Sequence, residues 1–203
     1  MHFLPADTGS IGALRSAAAG CRACHLYQQA TQTVFGEGPV PADIMMVGEQ
    51  PGDIEDRQGH PFVGPAGRLL DKALAEAGLD RSQVYLTNAV KHFKHTTTAD
   101  SKRRIHAKPN QTEITACLPW LESELGVVRP KLVVVLGSTA AQTLAGREFK
   151  VTKSRGKVMP WRDIKLLATV HPSSVLRATD RHEAYEGLVE DLKKVASSLA
   201  RRR

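Results

Sequence analysis

A histidine lies within a strongly basic segment in the middle of the chain. Four cations, Lys102, Arg103, Arg104 and Lys108, surround His106. Charge at this density cannot be buried without partners, so we expect the segment to lie in solvent or against an anionic partner. Nearby positive charge favours the neutral imidazole, which can act as a nucleophile. The alternative is a solvated basic loop in which the histidine has no role.

The chain has three cysteines, Cys21, Cys24 and Cys117. An odd number of cysteines argues against a disulfide framework, as does a first segment without the basic start and apolar middle of a signal peptide. The spacing of Cys21 and Cys24, with two residues between them, instead suits metal or iron–sulfur ligation, or a redox pair.

The overall charge points to an anionic partner. The 28 Lys and Arg residues outnumber the 21 Asp and Glu residues, which gives a net charge of +7. Nucleic acid is the leading candidate for such a chain. No apolar run approaches the roughly 20 residues of a membrane-spanning helix. We therefore expect a soluble, cytoplasmic protein, with residues 1–203 forming a single domain.

Apolar periodicity predicts a sheet covered by helices. Compact apolar runs predict strands at residues 43–47, 84–86, 131–136 and 166–170. Helices are predicted over residues 11–20, 65–77, 112–125, 139–145 and 182–199. Pro119 should kink its helix or mark its first turn. The alternation predicts an α/β fold, a three-layer α/β/α sandwich around a four-stranded parallel sheet.

Polar residues cluster where the predicted strands end. Ligands bind beyond the carboxyl ends of the strands in such sheets, so these side chains are expected to share one rim. Each also has a structural interpretation, such as a turn former for Asn88 or a helix cap for Asp53 or Ser173. The rim residues predicted in this way are Glu49, Gln50, Asp53, Asn88 and His171.

Four segments, residues 48–53, 59–67, 85–91 and 171–177, resemble the motifs of the family 4 and 5 uracil-DNA glycosylases. The resemblance extends from about Cys21 to Leu192. It is most specific for the UdgX branch, whose members become covalently trapped on uracil-containing DNA. The hallmarks of that branch, Gly-Glu-Gln-Pro-Gly and Lys-Arg-Arg-Ile-His, occur at residues 48–52 and 102–106. The second lies in an inserted basic loop at about residues 94–109.

The resemblance implies that a uracil nucleotide, most readily in single-stranded DNA, enters a pocket. Phe62 would stack on the base, and the Asn88 amide would supply both a donor and an acceptor to its edge. Gln50 would line the pocket, where family members bind uracil largely through backbone groups. His171 would hydrogen-bond uracil O2 and stabilise the negative charge that develops on the leaving base.

By the same resemblance, His106 would attack C1′ of the sugar and form a stable protein–DNA bond. Glu49 would orient its imidazole. Six residues would contact DNA, contributing affinity and little sequence choice. They are Lys102, Arg103, Arg104, Lys108, Ser173 and Arg177.

The resemblance also implies a structural 4Fe–4S cluster in the amino-terminal segment, where family 4 enzymes use four cysteines. In this chain His92 stands at the position of the missing cysteine, as it does in UdgX-type proteins. His25 and His95 are nearby alternatives for the fourth ligand, and zinc suits a site with three Cys and one His. The implied ligands are Cys21, Cys24, His92 and Cys117.

Two other functions remain open from the sequence. One is a conventional hydrolytic uracil-DNA glycosylase with turnover, in which His106 only contacts DNA. The other is a non-catalytic iron–sulfur protein that binds DNA and senses redox state, although such a protein has no use for a base pocket. In every case uracil-containing DNA or DNA itself is the expected partner, and we expect a monomer.

Overall fold

The computed structural model describes residues 4–5, 8–97 and 103–200. Its strands are β1 (Ile44–Gly48), β2 (Val84–Asn88), β3 (His95–Thr97), β4 (Arg104–His106), β5 (Leu132–Leu136), β6 (Val158–Trp161) and β7 (Ile164–Thr169). The central sheet has the order β2-β1-β5-β7-β6, and β3 pairs with β4 in a separate hairpin. In the central sheet β2, β1, β5 and β7 are parallel, whereas β6 runs antiparallel to β7 at one edge.

Helices cover both faces of this sheet. They are α1 (Ile11–Ala18), α2 (Asp53–Gln58), α3 (Pro65–Glu76), α4 (Gln111–Val128), α5 (Ser138–Ala145), α6 (Val151–Ser154), α7 (Pro172–Leu176) and α8 (Arg181–Ala200). Successive side chains of a strand point to opposite faces. In β1, Met46 therefore packs in the layer beneath α3 and α8, whereas Met45 and Val47 pack beneath α4 and α5.

The predicted α/β/α sandwich is confirmed, but the sheet has five strands instead of four. The four predicted strands are the parallel ones, because each is a buried apolar run. The additional strand, β6, is only partly buried and contains Pro160, which cannot donate to a ladder and is tolerated at a sheet edge. An apolar-run criterion therefore misses it.

Pro119 lies inside α4 and does not mark its first turn. The helix begins earlier because Asn110 and Glu113 form a capping box. The Asn110 side chain accepts from the Glu113 amide at 2.9 Å, and the Asn110 amide donates to the Glu113 carboxylate at 2.7 Å. These bonds satisfy amides that would otherwise lack partners at the start of the helix.

The basic segment forms the antiparallel hairpin of β3 and β4, which lies in the chain between β2 and α4. His95 is paired with His106, Thr96 with Ile105, and Thr97 with Arg104. Lys102 lies outside the described residues.

Across the described ranges, none of the helices combines the length and the apolar character needed to cross a membrane.

Candidate active site

Three side chains converge above Gly48, the last residue of β1. A Cβ atom at this position would lie 2.4 Å from Asn88 Oδ1, 2.7 Å from Phe62 Cζ and 3.5 Å from His171 Nε2. Only glycine leaves room for this approach. An aromatic ring, an amide and an imidazole therefore meet at the carboxyl end of the sheet, where α/β proteins bind ligands.

Phe62 is held in an unusual backbone conformation. Its φ is 59°, in the left-handed region that a residue with a bulky side chain rarely adopts. Gly67 permits this geometry, since a Cβ at that position would overlap the Phe62 carbonyl oxygen. The Phe62 ring is 6.3 Å from that of His171, at an interplanar angle of 31°. Strain of this kind is concentrated at binding and catalytic sites.

Asn88 ends β2 and is buried. Its backbone carbonyl accepts a hydrogen bond from Lys91 Nζ at 2.7 Å. None of the described residues hydrogen-bonds its side-chain amide, so a donor and an acceptor are both available to a ligand above Gly48. This is the arrangement needed to recognise the edge of a planar base.

His171 is fixed as a neutral hydrogen-bond donor. It caps α7, and its Nδ1 accepts from the Ser173 amide at 3.1 Å. The proton of the neutral ring therefore sits on Nε2, the nitrogen nearest Gly48. Burial, and then the charges of His106 and Arg177, lower the pKa of His171 to about 4. The imidazole can stabilise a developing negative charge without being protonated itself.

Glu49 connects this rim to the hairpin. Its Oε1 lies 3.4 Å from His106 Nε2, and its Oε2 accepts a hydrogen bond from the Thr139 hydroxyl at the start of α5. The carboxylate is thus oriented from one side and faces the imidazole on the other. A carboxylate opposite one ring nitrogen leaves the second nitrogen free to act as a nucleophile.

Gln50 fastens both strands of the hairpin to the rim. Its Nε2 donates to the carbonyls of Lys94 and Ala107, and its Oε1 accepts from the Lys94 amide, each at 3.1 Å. The side chain is therefore occupied by the hairpin.

Arg104 fastens the same hairpin to α2. Its guanidinium pairs with Asp53 and Asp56, and it also donates to the Thr31 hydroxyl at 3.2 Å. The side chain is only 13% exposed. The ion pairs of Arg104 are with protein carboxylates, so in this structure Arg104 holds the strand that carries His106 against α2. Asp53 supplies no helix cap, since Gly52 is the N-cap of α2.

The other expected DNA contacts lie around the rim. Arg103, Lys108 and Arg177 are exposed, and Ser173 is partly buried beside His171, with its hydroxyl 2.8 Å from His171 Nδ1. Lys102 falls outside the described residues. These exposed cations present positive charge to the solvent.

A buried ion pair lies behind Asn88. Lys91 Nζ donates to Glu124 in α4, and both side chains are fully buried. Glu124 also accepts from the hydroxyls of Tyr85 and Thr87 and from the Gly36 amide. Every polar group in this network has a partner, which is the condition under which buried charges are tolerated.

The cysteines occupy a separate apolar cluster that packs α1 against α4. Cys21 Sγ accepts from Trp120 Nε1 at 3.3 Å, and Cys117 Sγ accepts from the Lys91 amide at 3.2 Å. Cys24 packs at the edge of the same cluster. Burial raises the pKa of the Cys117 thiol to about 12.

The histidines near this cluster have other partners. His92 Nε2 lies 3.3 Å from the Thr33 hydroxyl, His25 faces Glu113 at 3.2 Å, and His95 stacks on Phe93. Over the part of the chain that the structure describes, no three His, Cys, Asp or Glu side chains are grouped to hold a metal ion. The four implied ligands have the donor chemistry of a metal or cluster site, but in this arrangement their side chains are not gathered around one point.

Several residues of the site escape sequence reasoning. The sequence predicted a helix at Thr139 but no contact with Glu49. The Lys91–Glu124 pair gave no signal, because its members are 33 residues apart. Asp56 gave no signal either, because the helix α2 that contains it was not predicted. These residues hold functional groups in place, and their roles depend on contacts between distant segments.

Fold and rim together define an α/β protein with a site for a planar ligand at the carboxyl edge of its sheet. Residues 35–193 match the sequence pattern described as the Uracil DNA glycosylase superfamily. The match spans most of the chain, and this protein belongs to that superfamily.

Individual relatives agree with this assignment. A type-4 uracil-DNA glycosylase of Sulfurisphaera tokodaii is 36% identical over 92% of this chain and 83% of its own length. A type-4 uracil-DNA glycosylase of Archaeoglobus fulgidus is 37% identical over 86% of each chain. A type-5 uracil-DNA glycosylase of Thermus thermophilus is 35% identical over 60% of this chain and 57% of its own length.

Proposed function

We propose that this protein excises uracil from DNA and that His106 then bonds covalently to C1′ of the sugar, as in the UdgX branch. The observation that carries the proposal is the 3.4 Å approach of His106 Nε2 to Glu49, on the rim where Phe62, Asn88 and His171 converge. Family membership and the type-4 relatives support excision. The letter-for-letter Lys-Arg-Arg-Ile-His segment supports capture.

In the excision step, the flipped uracil stacks on Phe62 and presents its edge to the Asn88 amide. The bond between C1′ and uracil N1 breaks, and its electron pair leaves with the base. Nε2–H of His171 stabilises the resulting charge at uracil O2. The sugar is left as an oxocarbenium-like cation at C1′.

In the capture step, one imidazole nitrogen of His106 donates its lone pair to C1′. The other nitrogen keeps its proton towards Glu49, which stabilises the imidazolium formed by the new bond. That proton then passes to Glu49 or to solvent, and the neutral imidazole remains linked to the sugar. A molecule that has reacted in this way does not turn over.

A denaturing gel tests the proposal. The protein mixed with a single-stranded oligonucleotide containing one uracil should give a denaturant-resistant adduct, and a thymine oligonucleotide should give none. Free abasic product without an adduct would contradict capture and leave excision standing. The absence of both the adduct and the abasic product would contradict both excision and capture.

A hydrolytic enzyme with turnover is the second candidate. The Glu49 carboxylate is partly exposed and is fixed by Thr139, so it could equally position a water molecule at C1′. In that case His106 only contacts DNA.

The exposed cations support a path for the DNA backbone across the rim. Arg103, Lys108 and Arg177 are proposed to contact phosphates, with Lys102 assigned to the same role from the sequence alone. The logarithm of the DNA-binding constant should fall linearly with the logarithm of the salt concentration. Removal of each such contact should make that slope shallower by about one.

Arg104→Ala is expected to slow capture more than excision. The hairpin loses its ion pairs with Asp53 and Asp56, whereas the residues that contact the base are untouched. The ratio of adduct to free abasic product should therefore fall. The fall is about tenfold if poorer positioning of His106 raises the activation free energy of capture by roughly 1.4 kcal/mol. Gel quantification of both products measures this ratio.

Arg57→Ala is the matched control, because Arg57 also pairs with Asp53 but is 64% exposed and belongs to α2 itself, so its ion pair does not tie the hairpin to that helix. It should leave the ratio unchanged. Equal effects of the two substitutions would contradict a positioning role for Arg104.

Acid is expected to affect excision through His171 only at low pH. Its folded pKa, about 4, is below the value of about 6.5 for an unfolded histidine, so the folded ring stays neutral between these values. Excision should therefore persist as the pH falls through about 6.5 and decline towards about 4. In this interval the unfolded state binds more protons, so the contribution of His171 to stability falls as the pH is lowered.

Single-turnover excision on single-stranded DNA measures this profile, with His171→Gln as the comparison because its amide donates without titrating. A loss centred near pH 6.5 that disappears in His171→Gln would contradict the assignment.

We further propose that Cys21, Cys24, His92 and Cys117 bind a 4Fe–4S cluster, with zinc as the alternative. Two observations support this: the cysteines pack in one cluster, and the sulfurs of Cys21 and Cys117 each accept a hydrogen bond from an N–H group, as cluster-bound sulfurs do. The side chains would have to close together on binding. The cluster would be structural, since glycosidic cleavage needs no redox step.

Metal analysis of the purified protein tests this assignment. About four iron atoms per chain, with visible absorption, are expected for the cluster, whereas one zinc atom per chain would indicate the alternative site. His92→Ala should lower the metal content, and His25→Ala should not. A metal-free protein with full excision activity would contradict the proposal.

A further inference from the structure

A groove with a volume of about 200 Å³ lies between the first turns of α4 and one face of α5. Its walls include Lys108 on the side of α4, and Thr139, Gln142 and Arg147 on the side of α5. Pockets for drug-sized ligands have volumes of roughly 300–1,000 Å³. A groove of this size therefore suits one nucleotide unit and is too small for two paired strands.

The groove adjoins the residues proposed to act at the sugar. Thr139, which lines it, donates its hydroxyl to one carboxylate oxygen of Glu49, and the other oxygen lies 3.4 Å from His106 Nε2. Lys108, on the opposite wall, follows His106 by two residues in the chain. A single carboxylate therefore separates the groove from His106.

Three polar side chains of the groove have no partner in the protein. Lys108, Gln142 and Arg147 are exposed, and none of them makes a hydrogen bond or ion pair with another described residue. The hydroxyl of Thr143, in contrast, donates to the Thr139 carbonyl at 2.7 Å. Two cations and one amide are thus available to a ligand in the groove.

The charge of the groove is complementary to a phosphate. Of the described residues that line it, none is Asp or Glu, and Glu113 in the first turn of α4 is buried and pairs with Lys94 at 3.0 Å. Ammonium and guanidinium groups both bind phosphate oxygens strongly. The amide of Gln142 offers a donor and an acceptor, which suits the edge of a base.

We propose that this groove binds the nucleotide next to the uracil in a single strand, with Lys108 and Arg147 at its phosphate and Gln142 beside its base. The inference rests on the proposed function, in which the sugar of the uracil nucleotide lies against His106. The neighbouring nucleotide then reaches the groove across Glu49. Because the groove admits one unit, that nucleotide is unpaired when it binds.

The test combines Arg147→Gln with single-stranded oligonucleotides in which one phosphate at a time, on either side of the uracil, is replaced by an uncharged methylphosphonate. On the fully charged strand, Arg147→Gln should raise the half-saturating DNA concentration for single-turnover excision about three- to tenfold and leave the rate at saturation unchanged. At one position beside the uracil, the neutral linkage should weaken wild type by a similar factor, and Arg147→Gln should then cause no further loss. At the other positions the two losses should multiply.

Two further variants complete the test. Gln142→Ala should weaken binding when the nucleotide next to the uracil carries a base, and should have no effect when an abasic spacer replaces that nucleotide. Arg129→Gln is the matched control for Arg147→Gln. Arg129 is exposed and follows the last turn of α4, an 18-residue helix about 27 Å long, so it lies far from the groove at the first turns. Its substitution should affect none of the oligonucleotides.

An Arg147→Gln effect of the same size at every position of the neutral linkage would overturn the inference, since Arg147 would then supply only general attraction to DNA. No effect of Arg147→Gln on the fully charged strand would also overturn it. Equal effects of Gln142→Ala with and without the neighbouring base would do the same. In each of these cases wild type still excises uracil, so the proposed function stands. No excision by wild type from any of the oligonucleotides would overturn the proposed function as well.

Discussion

His106→Ser is expected to abolish the protein–DNA adduct and to leave uracil excision with turnover. The substitution removes the imidazole that faces Glu49 but does not touch Phe62, Asn88 or His171, which act on the base. A serine side chain is smaller and a weaker nucleophile, so water gains access to C1′ beside Glu49. Denaturing gels and released uracil, measured over several equivalents of oligonucleotide, distinguish the two products.

His95→Ser is the matched control. His95 is the direct cross-strand partner of His106 in the hairpin, and it stacks on Phe93 without contacting Glu49. Because His95→Ser makes the same substitution on the neighbouring strand β3, it should leave the adduct intact. An adduct that survives in His106→Ser would show that another group is the nucleophile. Weakened binding with unchanged products would assign His106 to DNA contact only.

Glu124→Gln is expected to destabilise the protein by about 3–5 kcal/mol, because it leaves the Lys91 ammonium buried without its counter-charge. Lys91→Met should lower the free energy of unfolding by a smaller amount. After that change the Glu124 carboxylate still accepts hydrogen bonds from Gly36, Tyr85 and Thr87. The double variant, which removes both charges, should be more stable than Glu124→Gln alone. Urea unfolding with a constant m-value measures these differences.

Glu122→Gln provides the control for this pair. Glu122 lies on the same helix, α4, and makes an ion pair with Arg162 at 2.7 Å, but both side chains are exposed. Its loss should cost no more than about 1 kcal/mol. Additive losses in the Lys91→Met and Glu124→Gln double variant would contradict coupling between the two buried charges.

Lys91→Met should also slow excision, because Lys91 Nζ holds the backbone carbonyl of Asn88. This effect separates the two roles of Lys91. A change in stability reports the buried charge, and a change in the rate on saturating DNA reports the position of Asn88.

The parts of the fold that were predictable are those whose signal is local. The four parallel strands are continuous apolar runs, and α3 begins at Pro65 and follows an apolar stripe. The antiparallel edge strand β6 and the short polar helix α2 were not predicted. The apolar run of β6 is short and interrupted by Pro160, and α2 consists almost entirely of polar residues, so neither carries a pattern that predicts an element.

The site also has features that the local sequence predicts and features that depend on distant segments of the chain. Asn88 and His171 were expected on one rim because parallel strands end at the same edge of a sheet, and in the structure both approach Gly48. Gln50 was expected to line the pocket. That expectation stays a prediction, and the structure adds a role for its side chain, which holds a hairpin whose anchoring residues are 44 and 57 positions further along the chain.

The sequence by itself determined the family motifs, the parallel core and the candidate nucleophile, since each is encoded in a short stretch of residues. Only the tertiary structure decided which charges are paired within the protein and which are exposed to solvent. Arg104 was one of four equivalent cations in the sequence, but in the fold it pairs with Asp53 and Asp56, 51 and 48 residues away. The energy of a charge depends on the partners and the solvent around it, and long-range packing alone brings those partners together.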